Sequence, residues 1–239
     1  MSDHNISSSG DMDVAEGVYG KISSAGDLRI VGKIKAEKIK SAGDIIANEE
    51  VEVGNMTIFG DGLFKKLLKA LEVSTFGDLE SQNTIEAKEL KVYGGVSGKI
   101  FNTEKFIING DIEAADEINS DFLEINGTIK AIGSMNIGSG NFNLMGNSKV
   151  NEIFCQDLRV NAGNSSYTGI LSGLISRNNN GKLVAELIEG DEIFLENTIC
   201  DIVRGKNIQI GRGSKIRRVE YQNTLKIYEN GEVTEKEEF

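Results

Sequence analysis

The segments FIINGDIEA (106–114) and LEINGTIKA (123–131) are near copies whose starts lie 17 residues apart. Each alternates apolar with mostly polar residues, the period-2 mark of a strand that buries one face, and each is punctuated by Asn-Gly. Moving outward, the glycine of this unit recurs upstream at Gly94, Gly77, Gly60, Gly43 and Gly26, in steps of 17 apart from the 16 between Gly94 and Gly110. Four residues before these glycines and Gly127 stand Ile22, Ile39, Met56, Val73, Leu90, Phe106 and Leu123, an unbroken apolar column. Two residues after them stand Leu28, Ile45, Gly62, Leu79, Val96, Ile112 and Ile129. A repeat this short cannot bury its own apolar face, so successive copies must stack around a shared core. The economical solution is an all-β fold, a single-stranded parallel β-helix (solenoid) with one repeat per coil. Roughly twelve coils about 4.8 Å apart would make a rod about 55–60 Å long.

Composition agrees with that reading. The 239 residues include no proline, where an average chain carries roughly a dozen, and 28 glycines. Proline deletes a backbone donor, so a fold in which nearly every N–H bonds to a neighbouring coil excludes it. Residues 1–16 read as a disordered polar amino-terminal tail, 17–233 as the β-helix and 234–239 as an acidic carboxy-terminal tail. Coils are regular over 18–135, irregular over 134–182, where asparagines crowd, and regular again over 183–233. In that last stretch the period reads as Ala185, Ile202, Val219, as Ile193, Ile210, Ile227, and as Ile199, Ile216, Val233. Asn178-Asn179-Asn180-Gly181 reads as a protruding turn.

Several function classes fall away on counts alone. The single histidine, His4, lies in the polar amino-terminal segment, so imidazole-dependent metal or acid–base catalysis is not expected in the repeats. A net charge of −11 disfavours nucleic acid as a partner. No apolar run is long enough to span a membrane and no secretory signal is visible, which makes the cytoplasm the expected compartment. Cys155 and Cys200 are isolated from other thiols and read as small buried hydrophobes. No nucleophile elbow, phosphate loop or dinucleotide fingerprint occurs, so no enzyme, cofactor, metal or small-molecule substrate is expected.

Four groups of residues are candidates for function. Asp27, Asp44, Asp61 and Asp78 each follow a column glycine and would stack on successive coils. They read either as a cation-binding column or as turn residues capping backbone N–H groups, and the second is favoured because the calcium-binding β-roll motif is absent. The segment GLFKKLLKAL (62–71) is amphipathic as a helix, but the interval from Gly60 to Gly77 stays at 17, which favours a β coil with Phe64, Leu68 and Ala70 inward. Leu63, Leu67 and Leu71 would then point outward beside Lys65, Lys66 and Lys69, a contact patch for a partner or a bilayer surface. The open ends of the solenoid would expose Val18 and Ile22 on one side and Ile227 and Val233 on the other. The basic cluster Arg204, Lys206, Arg212, Lys215, Arg217 and Arg218 falls mostly opposite acidic residues at a period of 17, leaving Arg204 and Arg217 free for an anionic partner.

The coils LRIVGKIKA (28–36), LKVYGGVSG (90–98) and LEINGTIKA (123–131) resemble those of the bactofilins, a bacterial polymer-forming cytoskeletal family. IEGDEIFLENT (188–198) and VRGKNIQIG (203–211) resemble the longer Gram-positive type. The resemblance covers about 18–233 and implies a right-handed β-helix that polymerises end to end without nucleotide, often beneath the membrane. The expected function is therefore a self-assembling cytoplasmic scaffold, possibly membrane-associated, whose partners are copies of itself and membrane-surface or cell-envelope proteins. The alternative is a non-polymeric β-helical module that binds a protein or a cell-wall glycan.

Overall fold

The computed structural model describes residues 4–131, 133–162 and 181–239. Every regular element among them is a strand, and no helix occurs. The strands of the first coils are β1 (Ile6–Ser8), β2 (Met12–Val14), β3 (Gly17–Ser24), β4 (Leu28–Ile30), β5 (Ile34–Ser41), β6 (Ile45–Ala47), β7 (Val51–Ile58), β8 (Gly62–Phe64) and β9 (Leu68–Thr75). Longer runs follow: β10 (Leu79–Val92), β11 (Val96–Ala131), β12 (Ser134–Leu144), β13 (Asn147–Ala162), β14 (Lys182–Leu195), β15 (Thr198–Ile210), β16 (Lys215–Ile227) and β17 (Glu232–Glu238). They form one parallel sheet wound into about 12 stacked turns, a β-solenoid.

One coil shows why the sequence winds this way. In β5 the inward residues are Ile34, Ala36, Ile39 and Ser41, and the alternation breaks at exposed Glu37 and Lys38. That break is a corner. A second corner at Ala42–Asp44 leads to Ile45 and Ala47 of β6, both fully buried, so each coil has three short sides around a narrow apolar centre. The next coil repeats the set one level on, with Ile34 opposite Val51, Ile39 opposite Met56 and Ile45 opposite Gly62. All seven residues of the column from Ile22 to Leu123 are buried, at 2% exposure or less. The segment 62–71 is a β coil, with Phe64, Leu68 and Ala70 inward.

Four sequence expectations require correction. The amino-terminal segment is part of the solenoid: β1 pairs with β3 and β2 with β4, so that Ile6 lies against Ile22 and Met12 against Leu28. Its strands are too short and polar to announce themselves, yet each rests on a complete coil. At the other end β17 runs through residues 234–238, expected as a free tail, and pairs with β16. The spacing of the later coils is also not uniform. β14 and β15 are offset so that Ile193 faces Ile208 and Ala185 faces Cys200, 15 residues on, while Leu195, Ile210 and Ile227 form a true column. The columns beginning at Ala185, Ile193 and Ile199 with a period of 17 are therefore wrong in their first steps. Within 134–182, β12 and β13 are ordinary neighbours with Leu158 opposite Gly140, and β13 pairs directly with β14, Leu158 opposite Ile193, so no coil lies between them. The turn expected at Asn178–Asn180 lies outside the described residues.

Candidate functional site

The corner between the second and third sides carries most of the unusual chemistry. Asp27 donates its N–H to Asp11 Oδ1 at 2.9 Å, Asp44 to Asp27 at 3.0 Å, Asp61 to Asp44 at 2.8 Å and Asp78 to Asp61 at 2.8 Å, and Gly95 N–H closes the series on Asp78 at 2.6 Å. Each carboxylate thus caps the backbone of the following coil, which is the turn chemistry and not a cation column. Among the described residues no group of acidic, histidine and cysteine side chains is arranged to hold a metal ion. Asp11 is a rung that the sequence reading did not include. The preceding glycines are required by this ladder: a Cβ on Gly43 or Gly60 would fall within 3.0 Å of both the capping carboxylate and the backbone of the coil below.

Immediately before three of those glycines stand Phe59, Phe76 and Tyr93. Their rings stack at centroid distances of 5.1 Å and 5.1 Å with interplanar angles of 6° and 9°, and each is just under half exposed. Lys40 Nζ lies 5.2 Å from the Phe59 centroid and closes one end of the stack. Sequence reasoning missed these residues, although the signal was present as an aromatic at one fixed column position in three consecutive repeats. The same column continues as an amide ladder: Asn126 Nδ2 donates to Asn109 at 3.1 Å, Asn143 to Asn126 at 2.8 Å and Asn161 to Asn143 at 3.1 Å. A second amide ladder joins Asn102, Asn119 and Asn136. The asparagine-rich middle therefore follows the stacking logic of the rest.

The contact patch of residues 63–71 is dispersed. Leu63 is half-buried on the third side, Leu67 half-buried at the next corner, and Leu71, at 51% exposure, lies a corner further round. Lys69 pairs with Glu86 at 3.5 Å, while Lys65 and Lys66 are exposed.

The basic cluster is neutralised, but by other partners than a period of 17 gives. Arg204, expected to be free, is held by Glu220 at 2.6 Å and Glu189 at 3.0 Å. These contacts, the Glu220 hydrogen bond foremost, push its pKa further up. Lys206 meets Asp191 at 2.8 Å, Arg212 meets Glu196 at 3.4 Å, and Arg217, also expected free, lies 3.9 Å from Asp201. Only Lys215, on Glu232 at 3.1 Å, has the partner its period gives, and Arg218 contacts Glu220 and Glu237. The cause is the shortened coil, since Glu189 and Arg204 are 15 residues apart and Arg204 and Glu220 are 16.

At the ends, Val18 is 72% exposed on the outer surface, and Ile22 is fully buried beneath Ile6. Neither is an end residue. The amino-terminal end instead presents half-buried Ile6 and Met12. The carboxy-terminal end presents half-buried Leu225 and Val233 with Ile227 at 36% exposure, so the assignment of Ile227 and Val233 to that end agrees with the structure. There β17 sets Lys236 over Val219 and Glu238 over Tyr221, placing charge where earlier coils carry core residues. Cys155 and Cys200 have thiols pushed up to about 12, chiefly by burial.

No protein-family model matches the chain, and no solved structure matches it. A search of curated proteins finds similarity to the uncharacterized protein YhbF of Bacillus subtilis (strain 168), 43% identical over 56 residues. The match covers 23% of this chain and 24% of that protein, so the chain spans about a quarter of the length of the curated relative it matches.

Proposed function

We propose that the chain is a non-enzymatic structural protein of bactofilin type that self-assembles end to end into nucleotide-independent filaments and serves as a cytoplasmic scaffold. The observation that carries the reading is the pair of open solenoid ends. Each offers a strand edge with unsatisfied N–H and C=O groups beside half-buried apolar side chains, Ile6 and Met12 at one end and Leu225, Ile227 and Val233 at the other. Burying one such side chain stabilises an interface by roughly 1.5–3 kcal/mol. The uniform rod supplies stiffness along the filament, because every coil is tied to the next by parallel backbone pairing and by side-chain ladders.

One observation favours the alternative, a non-polymeric binding module. The last strand, EVTEKEE, is charged along its length and shields part of the carboxy-terminal end, a known device against edge pairing. The two readings separate in sedimentation of the purified full chain. Assembly should be abolished or shortened by Ile6→Asp and by Ile227→Asp and should resist chelators and the absence of nucleotide. A wild-type chain that sediments only as a monomer at high concentration would favour the binding module.

A further inference from the structure

The aromatic stack and the aspartate ladder occupy the same corner, and together they describe a docking surface. Phe59, Phe76 and Tyr93 form a ridge that climbs 5.1 Å per coil, with ring edges outward. Asp61 follows Phe59 by two residues and Asp78 follows Phe76 by two, and the carboxylate row extends one way through Asp44 and Asp27. All four carboxylates are exposed, and among the described residues none of the four is in an ion pair, although lysines and arginines elsewhere on the rod are widely paired with acids. Each spends one oxygen on the ladder and leaves the other to solvent. The corner therefore shows an apolar line beside an uncompensated anionic line, both rising by one coil per step.

An α-helix has a pitch of about 5.4 Å, so one laid along the solenoid axis presents one side chain per turn from each of its stripes at nearly the same step as the ridge. Over the two steps from Phe59 to Tyr93 the mismatch stays near half an ångström. A helix with an apolar residue at i, i+4 and i+7 would meet the three rings in register. Lysines or arginines on the adjoining stripe would reach the carboxylates. We propose that this corner binds an amphipathic helix of a partner protein whose apolar stripe is flanked by a basic stripe. An anionic bilayer fits poorly, because the same aspartates repel it.

The test uses the full-length chain and two labelled synthetic helical peptides with identical leucine stripes, one flanked by lysine and the other by glutamate. Fluorescence anisotropy should show binding of the lysine peptide that weakens with salt, and no binding of the glutamate peptide. Phe76→Ser should weaken binding by about tenfold or more, as expected of an aromatic anchor. The double variant Asp61→Asn with Asp78→Asn keeps an acceptor oxygen for the ladder and removes only charge, so it guards against loss of folding. It should weaken binding about tenfold and flatten its salt dependence. Equal binding of both peptides, unchanged binding by either variant, or preferential binding of the chain to zwitterionic vesicles through this ridge would overturn the proposal.

Discussion

Asp44 shows in one residue why the repeat carries Gly-Asp. Its Oδ1 accepts the Asp61 N–H, and Gly60 exists because that oxygen occupies the space a Cβ would need. Gly60→Ala should destabilise the chain by about 1–3 kcal/mol through overpacking, read as a lowered midpoint in thermal or denaturant unfolding. Asp44→Ala should cost about 1 kcal/mol and Asp44→Asn little, because only the first removes the acceptor. The thiols give a second check. Both titrate near 12 because of burial, so a thiol reagent at pH 8 should label neither Cys155 nor Cys200 until the chain is unfolded. Hydrogen bonds from Lys105 and then Lys91 hold Glu89 below the ordinary carboxylate range. A depressed carboxyl stabilises the fold above its unfolded pKa and loses that effect as pH falls through the folded value. Stability should therefore decline below roughly pH 4, and Glu89→Gln should flatten part of that decline. The glycine column was legible in the sequence. Its cause, close approach of the coil below rather than positive φ, was not, because both demands select the same residue.

Elements differ in how plainly they were written. β5 and β7 repeat at 17 with Ile34 over Val51 and Ile39 over Met56, and their alternation alone places every inward side chain. β1 and β2 have three residues each and only Ile6, Met12 and Val14 as apolar signal, so nothing local distinguishes them from a tail. Their strand character comes from the coil beneath. β14 to β16 defeat a fixed period for another reason: the β14–β15 coil closes in 15 residues, and the pairing of β15 with β16 shifts register between Gly205 and Asn207. Corners can shed a residue without disturbing the inward sides, which is why the hydrophobic pattern survived while the charge partners moved. Glu220 now holds this region together, since Arg204 and Arg218 both bind it. Glu220→Gln should release both cations and create salt-sensitive binding to anionic vesicles that the wild-type chain lacks, measured by co-sedimentation. Vesicle binding of equal strength in the two proteins would mean that the stripe is already an interaction site.

On the scale of the whole molecule, repetition makes a rod whose middle is satisfied and whose ends are not. Its surface is covered by ladders of Asp, Asn and stacked rings that bond along the axis, so cohesion runs lengthwise. That architecture was legible from spacing alone, whereas the exposed aromatic corner was not, because stacked rings in a column read as core until their side of the strand is known. Assembly through the ends should lengthen the rod without widening it. Electron microscopy of the purified full-length chain in buffer, without nucleotide or metal, tests this most directly. The account predicts threads of one solenoid's width and lengths far beyond the roughly 55–60 Å of a single copy. A uniform field of rods of single-copy length at every concentration would contradict it.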